Sequence, residues 1–218
     1  MKKAAYLFSV IYVVAAVLFT VTFSVGLPIY IRQFYFSQID DLMLEKRSGA
    51  TSEQIKEAYN GLMDYLTLPN AEFTTGVVEY SEEGQSHFAD CKSLFTLNST
   101  VLLLSFVFLL AFELSKKMRN KLLVRHDLLS VAGGVTLSLS TLLVLAISTN
   151  FDKTFDTFHR LFFAGKNNWV FDPVTDEIIN VLPEKFFENC AVLIGVGIVT
   201  VSVAFIVLGI VKKHIFTK

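Results

Sequence analysis

The chain has 218 residues, of which 53% are hydrophobic, and its mean hydropathy of +0.53 is too high for a soluble globular domain of this length. The formal net charge is −1, and no basic tract is long enough to indicate a nucleic-acid partner. The two cysteines, Cys91 and Cys190, are too few for a disulfide framework, and neither belongs to a CxxC pair.

Four apolar segments are long enough to cross a bilayer, whose core of about 30 Å needs roughly 20 apolar residues in a helix. They are residues 4–30, 94–114, 128–148 and 191–211. Backbone groups in hydrocarbon must find partners within their own segment, so each span is expected to be helical. The sequence therefore predicts an all-α integral membrane protein with four transmembrane helices in a single membrane domain, residues 1–218.

The first span is interpreted as a retained anchor and not as a cleaved signal peptide. Its apolar run is longer than the roughly 7–15 residues of a signal-peptide core, and no small-x-small cleavage site follows it. It is therefore counted among the four spans.

The positions of Lys and Arg predict the orientation, because cytoplasmic loops are rich in these residues. Lys2 and Lys3 precede the first span, five Lys and Arg residues lie in the loop of residues 115–127, and Lys212 and Lys213 follow the fourth span. Both termini are therefore expected in the cytoplasm of a multi-pass cell-membrane protein. Residues 32–93 and 150–190 then form outer segments on the extracytoplasmic face, and both carry an excess of acidic residues.

The first outer segment, residues 32–93, is too short for an independent domain with a large core. Thr51 to Leu66 has the periodicity of an amphipathic helix, and Thr51 with Gln54 forms a possible capping box. Phe34 to Lys46 is predicted as a second helix that follows a kink at Pro28, and Phe73 to Tyr80 as a short extended piece. We expect a small helical, partly extended cap.

The second outer segment, residues 150–190, has phenylalanines at helical spacing, with charged residues on the opposite side of the same helix. The phenylalanines are Phe151, Phe155, Phe158, Phe162 and Phe163. Such a helix would lie in the plane of the membrane interface. A turn with the sequence Asn167-Asn168-Trp169 follows, and Pro183 is placed to open the fourth span. An aromatic belt alone explains the Phe and Trp residues, but not the paired Asn or the His within the helix.

Two of the four histidines lie in the outer segments, while His126 and His214 lie in basic cytoplasmic segments and are read as ordinary polar residues. If the chain is helical at His87, it places Asp90 and Cys91 on the same face, at i+3 and i+4. A carboxylate beside an imidazole orients the ring and raises its basicity. Each histidine alone is more often structural, but the pair at one membrane level indicates acid–base chemistry near pH 7, with His159 as the second member.

Two segments carry a resemblance to a known family. They are Tyr80 to Lys92, with the sequence YSEEGQSHFADCK, and Phe158 to Trp169, with FHRLFFAGKNNW, continuing to Phe171-Asp172-Pro173, Asp176 and the LPEKFF of residues 182–187. The chain resembles the Lit family, the four-span lipoprotein intramolecular transacylases of Gram-positive bacteria. Two positions depart from the expected pattern, because Cys91 stands where valine is expected and Gly84 where an acidic residue is expected.

The resemblance implies an O-to-N acyl transfer on a diacylated lipoprotein held in membrane lipid. The sn-2 acyl chain moves from the glyceryl oxygen to the α-amine of the lipidated cysteine, which gives a lyso-form lipoprotein without a cofactor or a metal. His87, oriented by Asp90, would be the general base and His159 the acid, although the two roles are interchangeable at this stage. The other candidate supporting residues are Lys92, Asn167, Asn168, Trp169 and Asp176, of which Asn167, Asn168 or Lys92 would steady the oxyanion.

Four alternatives remain open from the sequence. A covalent acyl-histidine or acyl-cysteine route is one. A non-enzymatic membrane sensor or assembly factor with an outer ligand-binding cap would keep its function when both outer histidines are replaced. A transporter subunit is disfavoured, because no predicted span has a charged residue near its centre. A metal-dependent hydrolase would need ligands beyond His87, Asp90 and Cys91, whose spacing matches no standard zinc motif.

Overall fold

The computed structural model describes residues 2–115, 127–147 and 150–216, and all regular secondary structure in these ranges is helical. The basic residues 116–126, together with Ser148 and Lys218, lie outside the described residues. The helices are α1 Lys2–Tyr30, α2 Arg32–Phe36, α3 Leu44–Ser48, α4 Ser52–Thr67, α5 Glu82–Leu114, α6 Leu128–Ile147, α7 Phe151–Phe162, α8 Ile178–Val181 and α9 Glu184–Phe216.

Three of these helices, α1, α5 and α9, are long and apolar enough to cross a membrane. A shorter apolar stretch, Leu128–Leu142, lies in α6, so the fourth predicted span stays a prediction. Helix α5 has 33 residues, which at 1.5 Å per residue gives about 50 Å, more than a bilayer core requires. The part of the helix from Leu94 onward has no charged residue until Glu113, and its first turns, which carry Glu82, His87 and Asp90, precede that part.

The described residues fall into two compact units. The first unit comprises residues 2–27, 98–115, 127–146 and 193–216. Its buried core consists of Tyr12, Ala15, Ala16, Leu109, Phe112, Leu128, Leu129 and Ala132. A Cβ atom added at Gly133 would overlap the Ser202 carbonyl, so α6 and α9 approach closely. Small residues allow such close helix packing in membranes.

A polar cluster in the first unit joins three helices. The Tyr12 hydroxyl donates to Glu113 Oε1 at 2.6 Å, and Lys212 Nζ lies 2.7 Å from Glu113 Oε2. These contacts link α1, α5 and α9, because each residue comes from a different helix. Charged side chains near the end of an apolar helix are more stable when paired in this way.

The second unit, residues 28–97 and 147–192, has a core centred on α4. The predicted capping box is confirmed: the Gln54 backbone N–H donates to Thr51 Oγ1 at 3.4 Å, and the Thr51 backbone N–H donates to Gln54 Oε1 at 2.9 Å. The predicted apolar face of α4 is buried at Ile55, Tyr59, Leu62, Met63 and Leu66. Tyr35 from α2 stacks on Tyr59 with 3.8 Å between ring centroids.

The helix predicted over Phe34 to Lys46 is wrong, because α2 and α3 are short helices separated by turns. Met43 between them has a left-handed φ of 51°. In a continuous helix, Leu44 would lie about 140° around the axis from Ile39, but both side chains are buried. The turn at Met43 therefore brings Leu44 back to the core. Residues 73–80 contain turns, including one at Gly76 with φ 58°, and no strand.

Candidate active site

The two outer histidines come together inside the second unit. His87 lies in the second turn of α5 and His159 lies near the end of α7, and their ring centroids are 5.7 Å apart with the planes tilted by 34°. Only 6% of His87 and 8% of His159 is exposed. Two imidazoles are therefore held side by side away from bulk solvent, although they are far apart in the sequence.

Aromatic rings surround both imidazoles. Phe163 contacts each of them, with its ring centroid 4.7 Å from that of His87 and 5.7 Å from that of His159. Trp169 stacks on His159 at 4.9 Å, with only 27° between the planes. The other rings in contact are Phe88 and Phe171 at His87, and Phe155 and Phe158 at His159. This enclosure lowers the local dielectric constant and excludes water.

A backbone contact sets the tautomer of His159. Its Nδ1 lies 2.7 Å from the carbonyl oxygen of Phe155, which is one turn earlier in α7. A carbonyl oxygen only accepts hydrogen bonds, so Nδ1 carries the proton of the neutral ring. The other nitrogen, Nε2, has no hydrogen bond within the described residues and is not among the buried polar atoms. His159 therefore presents an accessible lone pair on Nε2.

His87 has the opposite arrangement of satisfied and free nitrogens. Its Nε2 lies 3.4 Å from the Sγ atom of Cys91, one turn along α5, and its Nδ1 is buried without a hydrogen-bond partner. Burial raises the pKa of Cys91 to about 12, so this group remains a thiol that can donate to Nε2. When the thiol donates, the proton of the neutral His87 ring lies on Nδ1, which is then free to donate.

Burial also determines the charge of both rings. It is the main cause that lowers the pKa of His87 to about 4. Repulsion from His159 lowers this pKa further, Asp90 raises it, and Lys166 lowers it by the smallest amount. Burial lowers the pKa of His159 as well, against the stabilising Phe155 carbonyl and Asp156. Both imidazoles are therefore neutral near pH 7, and their proximity disfavours two positive charges at once.

The predicted orientation of His87 by Asp90 is not present in the structure. The Asp90 carboxylate receives hydrogen bonds from Lys166 Nζ at 2.5 Å and from Asn168 Nδ2 at 3.1 Å, and within the described residues it has none to His87. The hydrogen bond from Lys166, followed by that from Asn168, lowers the pKa of Asp90. Asp90 therefore fastens the turn at residues 166–168 to α5, and that turn leads directly to Trp169.

The three candidate residues of that turn have different surroundings. Asn168 also donates to Ser86 Oγ at 3.3 Å, and its Oδ1 is buried without a partner. Trp169 Nε1 donates to the Lys166 carbonyl at 3.1 Å, which holds the indole over His159. The Asn167 side chain has no hydrogen bond within the described residues and lines an adjacent cavity. Asn168 and Trp169 thus belong to the histidine cluster, and Asn167 lies beside it.

Lys92 is not part of this cluster. Its ammonium group lies 4.3 Å from the centroid of the Tyr65 ring and 3.5 Å from the carbonyl oxygen of Pro69. A cation over an aromatic face is held by the ring quadrupole. The predicted oxyanion role of Lys92 therefore has no support in its contacts.

Asp176 holds the start of α5. Its Oδ1 accepts hydrogen bonds from the backbone N–H of Ser81 at 2.8 Å and from the Ser81 hydroxyl at 2.7 Å. Ser81 Oγ in turn accepts from the backbone N–H of Gly84 at 3.0 Å, as an N-cap does. Asp176 thus positions the helix turn that leads to His87, and its carboxylate fills the space next to Gly84, where the family pattern suggested an acidic side chain.

Gly84→Ala is expected to lower the free energy of unfolding by about 1–3 kcal/mol, because the new Cβ would overlap Asp176 Oδ1 and displace the cap. Thermal unfolding of the purified protein in detergent would measure this loss. Gly195→Ala is the matched control, since a Cβ at that helical position meets no atom within 4 Å. An equal thermal midpoint for Gly84→Ala and the unsubstituted protein would contradict the role given to Asp176.

Sequence reasoning missed Phe163 and Phe171 as members of the site. Phe163 follows His159 by four residues, and that spacing places one side chain over the next on a helical surface. Phe171 has no comparable local signal, because its contact with His87 is a tertiary one. Within the described residues, no group of three or more His, Cys, Asp or Glu side chains is placed to hold a metal ion.

Comparison with known proteins decides the family. The family model described as "Lipoprotein intramolecular transacylase Lit" matches residues 10–187. The chain belongs to the Lit family. It is therefore a membrane-integral protein of an acyltransferase family whose name specifies a lipoprotein substrate, as the motif resemblance implied. No curated protein matches the chain.

Solved Lit structures agree over almost the whole length. The chain is 25% identical to Lit from Bacillus cereus, with a TM-score of 0.87, over 99% of this chain and 100% of that one. A variant of the same protein with a histidine replaced by arginine matches at 25% identity and a TM-score of 0.82, over 98% of this chain and 95% of the variant. A histidine-to-alanine variant matches in fold at 24% identity and a TM-score of 0.82, over 96% and 94% of the two chains.

Proposed function

We propose that this Lit-family protein moves the sn-2 acyl chain of a diacylglyceryl-cysteine lipoprotein to the α-amine of the same cysteine. The product is a lyso-form lipoprotein with an amide-linked chain. The observation that carries the proposal is the pair of buried imidazoles, each with one nitrogen free of any hydrogen bond within the described residues. Such a pair fits a reaction that must move one proton and stabilise one oxyanion.

In this proposal His159 is the base and His87 the electrophile, the reverse of the assignment first suggested by Asp90. The Nε2 lone pair of His159 accepts the proton that the amine loses as its nitrogen attacks the ester carbonyl. The Phe155 carbonyl steadies the resulting imidazolium through Nδ1–H. Trp169 stacks on the same ring, and an aromatic face favours a stacked cation.

His87 remains neutral and donates its Nδ1–H to the developing oxyanion. Its lowered pKa suits this role, because a ring that resists protonation acts as a hydrogen-bond donor and not as the base. A donor without a partner gives up no hydrogen bond when it binds the charge of the tetrahedral intermediate. Asn168 belongs to the same cluster because its Nδ2 donates a hydrogen bond to Asp90, and its Oδ1 is also buried without a partner.

The proton balance closes within one substrate molecule. The C–N bond forms, the proton moves from the amine to His159, and the same proton passes to the glyceryl oxygen as the C–O bond breaks. Exchange of an ester for an amide is downhill, so the reaction needs no acyl donor or ATP. Donor and acceptor belong to one molecule, so the main contribution of the protein is to hold them in a near-attack geometry, worth on the order of 7–11 kcal/mol at best.

The topology proposed with this function places the reaction at the outer face of the membrane. It has four spans at residues 4–30, 94–114, 128–148 and 191–211, both termini in the cytoplasm, and outer segments at 32–93 and 150–190. The distribution of Lys and Arg supports this orientation. Both histidines then lie near the depth at which a membrane-held substrate carries its ester and its amine.

Between pH 6.5 and 7.5, log(kcat/KM) is expected to rise with a slope close to one. The pKa values of His87 and His159 are both lowered, so both rings are mostly neutral in this window and only the substrate α-amine, with a pKa of about 8, must lose a proton. A pH–rate profile with a diacyl lipopeptide in mixed micelles would measure it. A slope of about 1.5 at pH 6.5 would show that a histidine with an ordinary pKa of about 6.5 also titrates, which contradicts the account.

Expression of this protein in a bacterial host that lacks the activity tests the function in cells. Mass spectrometry of a lipoprotein N-terminus should show one acyl chain on the cysteine nitrogen and one on the glyceryl group. A double substitution of His87 and His159 by alanine should leave both chains on the glyceryl group. Persistence of the amide product in that variant would favour a protein that assists another enzyme.

A further inference from the structure

Helix α7 separates an apolar side from a polar side, and His159 lies at the border. At about 100° per residue, Phe151, Phe155, Phe158 and Phe162 share one face, while Asp156 and Arg160 lie on the other. On the apolar side, Phe158, Leu161 and Phe162 are 45%, 72% and 51% exposed. A substrate whose reacting groups reach His159 would therefore have its acyl chains on one side of the helix and its remaining part on the other.

The polar side of α7 borders a cavity of about 640 Å³ within the second unit. Its lining includes Asp156, Arg160, Phe163, Lys166, Asn167 and Trp169. Phe163 and Trp169 also contact the His159 ring, so the cavity lies beside the reacting centre and shares these two side chains with it. A substrate whose amine reacts at His159 would therefore extend its attached chain into this cavity.

The polar groups of the cavity suit a neutral hydrogen-bonding ligand. Arg160 Nε is paired with Asp156 Oδ2 at 2.7 Å, and Lys166 Nζ with Asp90 Oδ1 at 2.5 Å, so both cations already have carboxylate partners. The Asn167 amide, by contrast, has no hydrogen bond within the described residues. A side-chain amide offers one acceptor and two donors, which match the N–H and C=O of a peptide group.

We propose that this cavity holds the peptide that follows the lipidated cysteine, and that Asn167 hydrogen-bonds to its backbone. The inference rests on the proposed function, because the peptide belongs to the same substrate and extends from the reacting amine at His159 toward the polar side of α7. Hydrogen bonds to the backbone of the substrate do not depend on its side chains, so this mode of recognition is compatible with many peptide sequences. A phospholipid headgroup is the less suitable occupant, because Asp156 and Asp90 offset the charges of Arg160 and Lys166, the two cations of the cavity.

The experiment compares two substrates on the same enzyme preparation. One is a diacylglyceryl cysteine that ends in a methylamide, and the other carries several uncharged residues after the cysteine. We expect kcat/KM to favour the longer substrate by about three- to tenfold, the value of one net hydrogen bond. Asn167→Ala should bring this ratio close to one, and Asn167→Gln should restore part of it. Asn70→Ala, in an exposed turn that does not line the cavity, should keep the full ratio.

The ratio of two substrates does not depend on the folded fraction, so partial unfolding of a variant does not imitate the effect. An Asn167→Ala enzyme with the ratio of the unsubstituted protein would overturn the inference. An unchanged ratio accompanied by a new dependence on phosphatidylglycerol in vesicles would assign the cavity to a headgroup and also overturn it. If the unsubstituted protein converts neither substrate, the proposed function fails and this inference fails with it.

Discussion

Replacing His159 with alanine is expected to lower the rate of acyl transfer by about two to four orders of magnitude, the usual contribution of a general base. The substitution removes the Nε2 lone pair that accepts the amine proton. Water is a poor substitute, because six aromatic rings surround the two imidazoles and exclude it. Single-turnover assays of a diacyl lipopeptide would measure the loss directly, and most of it should appear in kcat.

The matched control is His214→Ala, since His214 is an exposed histidine in the last turn of α9 and takes no part in the site. It should retain the activity of the unsubstituted protein. Trp169→Phe keeps a ring over His159 and should lose less than Trp169→Ala. A His159→Ala enzyme within threefold of the unsubstituted rate would remove His159 from the mechanism.

Substitutions of His87 should depend on which ring nitrogen they imitate. His87→Ala is expected to cost about two to three orders of magnitude, as the loss of one oxyanion donor does. Asparagine places an amide nitrogen near the position of Nδ1 and glutamine places one near Nε2. Because Nδ1 is the buried, unpartnered atom, His87→Asn should recover part of the rate and His87→Gln should not. The same single-turnover assay separates these variants.

Cys91 supplies the second half of this test. Cys91→Val removes the thiol that contacts Nε2 of His87 and introduces the residue expected from the family pattern. A modest, few-fold loss is expected, since only the partner of Nε2 changes. Recovery by glutamine instead of asparagine would assign the opposite tautomer to His87. Complete loss in Cys91→Val, together with an acyl-enzyme detected in the unsubstituted protein, would favour the thioester route.

The sequence predicted the features that arise from local periodicity. Helix α4, its capping box and its apolar face follow from Thr51, Gln54 and the spacing of Ile55 to Leu66, and the structure confirms them. Helix α7 follows from its phenylalanine spacing in the same way. Phe34 to Lys46 was predicted incorrectly, because burial of Leu44 beside Ile39 outweighs the helical pattern and requires the turn at Met43.

The site could be predicted in its residue types but not in its pairings. His87 and His159 were identified by their positions beside membrane segments, while their proximity is a tertiary contact with no local signal. The spacing of His87 and Asp90 on α5 suggested that Asp90 orients the His87 ring. Asp90 forms an ion pair with Lys166 instead, because a carboxylate binds a full cation more strongly than a neutral imidazole. The contacts of Lys92 and Asp176 are likewise set by tertiary neighbours, Tyr65 and Ser81.

A crossover experiment with isotopically labelled substrates tests the central claim most directly. Two diacyl lipopeptides, one with heavy acyl chains and a heavy peptide and one unlabelled, would be mixed with the purified protein and analysed by tandem mass spectrometry. The account predicts amide-linked products of unchanged mass, in which heavy chains occur only on heavy peptides. Free fatty acid with a lighter lipopeptide would indicate a hydrolase, and products that combine heavy chains with unlabelled peptides would contradict transfer within one molecule.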